Sequence, residues 1–269
     1  MKLLFQSDDY GITEAVTCGI LKGIREGLIR NTGLFVNMPS SKFAAEQIKH
    51  YPQCSFGIDI NLVAGKPVSP IDQIPNLVKP SGEFYTSGEI RAKTNSKPHT
   101  DLSGSLIEDM GEDPYPLDET LIEVENQVLR YIELVGEKPK YIHPHSLMTA
   151  NTAKALEMMA EKYELPYSIN FFKQHAFHFI TNNWNPKPFP VEQQIQTDVE
   201  GNVMNVISEV FDHEYSLLGC HAGFVDEDLF QCSTYTLIRV KDLQMACSPR
   251  LKDFIESNHV ELVNYDSFN

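Results

Sequence analysis

The sequence predicts a parallel α/β fold, read as a (β/α) barrel, on three observations. Apolar runs of strand length alternate with stretches whose apolar residues recur at helical spacing, which is the rhythm of βα units. The chain has 269 residues and 42% hydrophobic content, enough for one barrel of roughly 250 residues or for two smaller domains. Polar and ionisable residues stand where several predicted strands finish, and parallel folds gather those ends on one face.

Residues 1–7 make a buried strand, and the Thr13-Glu14 step opens a helix that carries Val16, Ile20 and Ile24 on one side as far as Gly27. Residues 32–37 form a second strand, 41–50 a short helix, and 56–62 a third strand after the Tyr51-Pro52 break. Between about 64 and 116 the pattern fails, because Pro67, Pro70, Pro75, Pro80, Pro98, Pro114 and Pro116 punctuate a polar stretch. This is expected to be a long irregular insertion on one face, acting as a lid, a binding loop or a plain excursion.

Asp118 is expected to cap an amphipathic helix through Val135, with Leu121, Val124, Val128, Leu129 and Ile132 turned inward and Gly136 ending it. Residues 141–146 read as a strand end, 151–162 as a helix and 167–170 as a further strand. From 171 to 197 the chain is irregular and aromatic, with Phe171, Phe172, Phe177, Phe179, Trp184 and Phe189 among His175 and His178. These rings either frame a sugar-binding cleft, with Trp184 as its platform, or tuck a loop onto the barrel. Residues 206–211 suggest a short amphipathic segment, 217–223 a strand then a turn, 236–246 and 249–257 closing helices, and 260–265 a last strand. No repeat beyond the βα cadence and no domain boundary is found, so residues 1–269 are expected to form one domain.

The balance of 22 Lys+Arg against 37 Asp+Glu gives a formal charge of -15, which opposes binding to nucleic acid or anionic membranes. Cys18, Cys54, Cys220, Cys232 and Cys247 are an odd, scattered set without a CxxC, so neither a disulfide framework nor a zinc knot is expected. The apolar run at the N-terminus is too short for a signal segment and no stretch is long enough to span a bilayer, so a cytoplasmic location is expected.

The strand ends carry the chemistry. Asp8 and Asp9 follow the first strand, Asp59 and Asn61 the third, His143 and His145 lie in the fourth, and His221 follows a late one. Adjacent carboxylates repel and call for solvent or a cation. His143-Pro144-His145 puts two imidazoles on one face of an extended segment; with Asp9 and Asp59 they can make an N/O site for a divalent ion such as zinc. His221 is a candidate proton donor, since imidazole titrates near neutrality.

The run SDDYGITEAVTCGI with NTGLFVNMPS, the segment GIDINLVAGKPVS, the strand YIHPHS and the late CHAGFVDEDL with YTLIRVKDL resemble the YdjC-type carbohydrate deacetylases, the chitooligosaccharide and hopanoid-associated deacetylase group. The matches span nearly the whole chain, in order. The resemblance implies a single deformed (β/α) TIM-like barrel of the polysaccharide deacetylase type and a metal-dependent hydrolase that removes acetyl from an N-acetylated sugar or short oligosaccharide. By the shared pattern Asp8 aligns with the general base, Asp9 with a metal ligand, His145 with a ligating histidine, His221 with the general acid, and Arg239 with a residue that orients the catalytic carboxylate. This chain departs from the pattern where Asp59 replaces the usual histidine, where His143 replaces the usual aspartate, and where Ala222 replaces a proline. A set of Asp9, Asp59 and His145, with His143 as an alternative ligand, still suits zinc, and its extra oxygen shifts preference toward manganese or magnesium. Asn61 and Trp184 are the residues expected to contact sugar. The departures keep a sugar isomerase or lyase, or a non-catalytic carbohydrate-binding homologue, open. The segments at 64–116 and after Asn170 serve substrate selection or a subunit contact such as a homodimer.

Overall fold

In a computed structural model, which describes residues 1–94, 107–180 and 190–268, the elements run β1 (Lys2–Tyr10), α1 (Glu14–Glu26), β2 (Asn31–Leu34), α2 (Ser41–Ile48), β3 (Ser55–Ile60), α3 (Ser87–Thr94) and α4 (Leu117–Val135). There follow β4 (Ile142–Pro144), α5 (Ala150–Tyr163), α6 (Ser168–Gln174), β5 (His178–Ile180), α7 (Val191–Gln196), α8 (Val199–Val206), β6 (Tyr215–Cys220), α9 (Glu227–Cys232), α10 (Ile238–Ala246), α11 (Pro249–Ser257) and β7 (Glu261–Val263). The strands form one parallel sheet in the order β4-β3-β2-β1-β6-β5, with β7 also paired to β1. This is the curled, deformed (β/α) barrel that the sequence predicts. Trp184 and Phe189 lie outside the described residues, as does part of the expected insertion.

Period-two alternation sorts the core onto the two faces of the sheet. Leu3 and Phe5 of β1 pack outward with Val16, Ile20 and Ile24 of α1. Leu4 turns the other way, into a second cluster with Tyr141, Phe171, Phe172, Phe177, Leu217, Val263 and Tyr265. Of the aromatic stretch after Asn170, Phe171, Phe172 and Phe177 are therefore core residues on the concave face. Residues 167–170, expected as a strand, hold one isolated bridge from Tyr167 to Ile142 and then turn into α6. That short helix brings its phenylalanines against the concave face, so the apolar run there reflects burial and not strand pairing.

Helix α4 forms as expected, with Val124 and Val128 in the core and Leu121 and Ile132 packed against it, but its cap, Leu129 and the polar part of its buried face differ from the expectation. Pro116 occupies its N-cap, Asp118 lies in the first turn, and Leu129 is 47% exposed. The buried face carries Glu119, Glu123 and Gln127 beside Val124 and Val128. These polar groups bind the backbone of the insertion: Glu123 accepts from the N–H groups of Val68 and Ser69 at 3.0 and 2.9 Å, and Glu119 from that of Asn76 at 2.8 Å. Buried loop backbone needs such partners, and the helix supplies them in place of apolar contacts.

Close approach between α1 and the turn after β6 fixes where the late strand end sits. A Cβ on Gly19 would stand 2.4 Å from the backbone nitrogen of Phe224 and 2.6 Å from the Gly223 backbone carbons. No rotamer change relieves a backbone clash. Gly19→Ala should therefore lower stability by about 1–3 kcal/mol, read as a fall in the denaturant midpoint; an unchanged midpoint would contradict this packing.

Candidate active site

Two consecutive strand residues normally face opposite sides of a sheet. Asp8 and Asp9 escape this because the β1–β2 register shifts between Ser7 and Tyr10, and Asp9 takes a left-handed conformation at φ 71. Aspartate tolerates that region better than most residues. The irregularity brings both carboxylates to the same end of the barrel.

Asp9 is 1% exposed and pairs with Arg239, itself 1% exposed, through Nη2 to Oδ2 at 2.6 Å. Arg239 is anchored in turn by Nε donating to the Tyr235 carbonyl at 2.8 Å. Its partner is thus the second aspartate, where the family pattern had placed it on the general-base carboxylate. Burial alone would push the Asp9 carboxyl up, yet the Arg239 guanidinium, aided by His145 and His221, holds it well below the usual carboxylate range.

Asp59 is also 1% exposed and accepts from the backbone N–H of Asp9 through Oδ2 at 3.0 Å. Burial first, then the Asp8 charge, pushes its carboxyl well above the usual range, and the Asp9 N–H offsets this only in part. The side chain lies across Gly33 of β2: a Cβ there would stand 1.8 Å from Asp59 Oδ1. Glycine at that point is what admits the carboxylate.

His145 is held by its backbone N–H donating to the Ile60 carbonyl at 3.1 Å and by an edge contact of its ring on Phe35 at 4.7 Å between centroids. Its Nδ1 stands 3.0 Å from Asp9 Oδ1, without lining up a hydrogen bond to it. Asp9 Oδ1 and Asp59 Oδ1 are both buried without a hydrogen-bond partner, an expensive state for carboxylate oxygens unless a cation accompanies them. In donor type the three residues suit a divalent ion. Among the described residues no three His, Cys, Asp or Glu side chains are grouped at coordination spacing.

His143 pairs across the sheet with Asp59. Its Nδ1 is 2.7 Å from the Ser168 hydroxyl and its Nε2 is 3.8 Å from Asp8 Oδ2. Burial pulls its pKa down, with Asp8 acting in the opposite direction. Asp8 accepts from Gln6 Nε2 through Oδ1 at 2.7 Å. Asp8, His143 and His145 keep 20%, 16% and 18% of their side chains exposed, so water reaches the site along this edge while Asp9 and Arg239 lie behind it.

His221 sits at the end of β6. Its backbone N–H donates to Asp242 Oδ2 at 2.9 Å, and its ring lies 4.9 Å from that of Tyr235. Burial lowers its pKa, opposed by the charges of Asp9 and Asp8. Ser7 and Ala222 tie the strand ends together, the Ala222 N–H donating to the Ser7 hydroxyl at 3.0 Å.

Asn61 is the sequence-derived residue that the structure removes from the sugar-contacting set. Its Oδ1 accepts from the N–H groups of Val63 and Ala64 at 3.1 and 3.0 Å, and its Nδ2 donates to the Ala64 carbonyl at 2.9 Å and to Asn37 Oδ1 at 3.0 Å. Fully buried and saturated, it shapes the start of the insertion. Trp184 lies outside the described residues. Gln6, Gly33 and Asp242 escaped the sequence reading. Gln6 carries the one legible signal, since it shares a strand face with Asp8 two residues on.

The family model described as YdjC-like protein matches residues 2–257. Carbohydrate deacetylase 2 of Listeria innocua is 26% identical over 268 residues, covering 98% of both chains. The crystal structure of a proposed cellobiose-phosphate cleavage protein from Enterococcus faecalis V583 superposes with a TM-score of 0.75 at 22% identity, covering 99% of this chain and 98% of that one. A family 4 acetyl xylan esterase from Clostridium thermocellum, in complex with a cobalt ion, superposes with a TM-score of 0.50 at 11% identity, covering 99% and 89%. Among the described residues no helix is long and apolar enough to cross a membrane.

Burial pushes Asp242 from 3.8 up to about 6, against the opposing effects of the His221 N–H, the Tyr235 hydroxyl and Arg239. A carboxyl with a raised folded pKa binds more protons in the native state, so its contribution to stability is full below about 4 and is lost as pH rises through 6. The difference amounts to roughly 3 kcal/mol. Asp242→Asn keeps one oxygen for the two donors and carries no charge. Unfolding in denaturant should therefore show stability shifting in favour of the variant between pH 4 and pH 7; a pH-independent difference would contradict this.

Proposed function

The chain belongs to the YdjC-like family of carbohydrate deacetylase homologues, and from that membership and the site's geometry we propose that it hydrolyses the acetyl amide of an N-acetylated amino sugar or short oligosaccharide with the help of one divalent ion. The observation that carries this reading is the convergence of Asp8, Asp9, Asp59, His145 and His221 at one barrel end, with Asp59 Oδ1 buried without a hydrogen-bond partner and Asp9 Oδ1 facing only the His145 ring. Asp9, Asp59 and His145 would hold the ion, which is zinc, manganese or magnesium by donor chemistry. The cobalt in the Clostridium thermocellum esterase supports a divalent ion on this fold. When bound, the ion supplies Lewis-acid polarisation of the amide carbonyl and acidifies water.

The chain's own residues divide the remaining work. Asp8, on the solvent-reachable edge, accepts the proton of the attacking water. His221 stands across the site near the Asp8 and Asp9 charges and delivers a proton to the departing amine nitrogen. Arg239 keeps Asp9 ionised and turned toward His145. His143, bonded to Ser168 through Nδ1, stands beside Asp8 and is the alternative ligand.

The test is acetate release from a panel of N-acetylated sugars by metal-stripped protein reconstituted separately with zinc, manganese, cobalt, nickel or magnesium. Release should require metal and fall by about 10²–10⁴-fold in Asp8→Asn, the usual contribution of a general base. Confirmed metal occupancy without acetate release from any sugar would contradict the reading and favour an isomerase, a lyase or a binding protein on the same barrel.

A further inference from the structure

Asp8 receives its fixed orientation from inside the barrel. Gln6 lies two residues earlier on the same strand face, 3% exposed, and donates Nε2 to Asp8 Oδ1 at 2.7 Å. Its other amide atom, Oε1, accepts from the Tyr265 hydroxyl at 3.2 Å. The amide can sit only this way round, because an ionised carboxylate is acceptor-only and Oε1 turned toward it would repel. Tyr265 is itself immobilised: it is 2% exposed, its ring stacks on Tyr141 at 3.9 Å and 17°, and its N–H donates to Asn31 Oδ1 at 3.2 Å. Asn31 is anchored in turn, its Nδ2 donating to the carbonyls of Phe5 and Val263 at 3.3 and 3.2 Å.

We propose that Gln6, locked by Tyr265, is the positioning residue for Asp8. The proposal deepens the deacetylase reading and rests on Asp8 as the proton acceptor. Among the described residues, Gln6 makes the one hydrogen bond to the Asp8 carboxylate. Arg239, the cation nearby, is committed to Asp9. With Oδ1 held by Gln6, Oδ2 is the atom left toward His143 and the solvent edge, where an incoming water and substrate meet it. Without Gln6 the carboxylate would swing away from the neighbouring charges of Asp9 and Asp59. A functional group loosened by even 1 Å loses much of its effect.

Gln6→Leu preserves approximate volume and removes both hydrogen bonds; Tyr265→Phe keeps the stacked ring and removes only the hydroxyl. In the metal-reconstituted full chain, Gln6→Leu should lower kcat by roughly 10–100-fold, the scale of supporting hydrogen bonds in catalytic sites, with KM and the metal dissociation constant within about twofold of wild type. Tyr265→Phe should lower kcat by about fivefold, one hydrogen bond's worth. In an Asp8→Asn background Gln6→Leu should change the residual rate by less than about twofold, since its effect passes through Asp8. A wild-type kcat in Gln6→Leu, or an equal loss in the Asp8→Asn background, would overturn the proposal, as would a parallel loss of metal affinity. Asp8→Asn at full rate would overturn it too, because Asp8 would then not be the proton acceptor. If the wild type releases no acetate, the deacetylase reading fails separately. Positioning is then judged from a crystal structure of Gln6→Leu: a rotated Asp8 carboxylate supports it, and an unmoved one refutes it. Melting curves of both variants separate these effects from misfolding.

Discussion

Arg239 and Asp9 meet at 2.6 Å with both side chains withdrawn from water, at a point where β1, the β4 end and helix α10 come together. A lone buried carboxylate would protonate; with a guanidinium in contact Asp9 stays ionised and turns its free oxygen toward His145. Removing one member of such a pair leaves an uncompensated charge, which typically destabilises by 3–5 kcal/mol. The same contact links the first strand of the chain to a helix 230 residues later. The electrostatics of the barrel mouth depend on it.

Around that pair the barrel interior is graded by chemistry. Leu4, Leu217 and Val263 with the aromatic side chains form an apolar floor. Gln6, Asn31 and Tyr265 make a hydrogen-bonded middle layer. Asp8, Asp59 and His143 then stand above it, on strands β1, β3 and β4. Each layer fixes the next, so groups that face water are held from below by groups that do not. Gly33 belongs to this design, because the Asp59 carboxylate occupies the space a side chain would take. Asp59 and His143 face each other across β3 and β4, so this edge sets a carboxylate beside an imidazole.

Much of this was legible in the sequence, and the limits have physical reasons. The βα cadence, the strand ends and the residues Asp8, Asp9, Asp59, His145 and His221 follow from period, length and position, because strand ends of a parallel fold share a face. Helix α4 and its inward Val124 and Val128 follow from the periodicity, whereas a hydrophobic pattern cannot register Glu119, Glu123 and Gln127 on the same buried face serving loop backbone. The aromatic stretch misled for the opposite reason: Phe171, Phe172 and Phe177 are core residues on a short helix and the turn after it, indistinguishable by composition from rings at a binding cleft. Asn61 stands at a strand end, where a sugar contact is expected, but its amide is saturated by the loop that follows. The contact between Arg239 and Asp9 spans most of the chain and has no local signature.

Asp9, Asp59 and His145 are the residues proposed to hold a divalent ion in this barrel. Anomalous diffraction at the absorption edge of zinc or manganese, from crystals of the full chain grown with that ion, tests it most directly. The account predicts a single strong peak enclosed by the Asp9 and Asp59 carboxylates and the His145 ring, with Arg239 still on the far oxygen of Asp9. A peak held by His143 in place of Asp59, or an ion bound elsewhere with this barrel end empty, would contradict it.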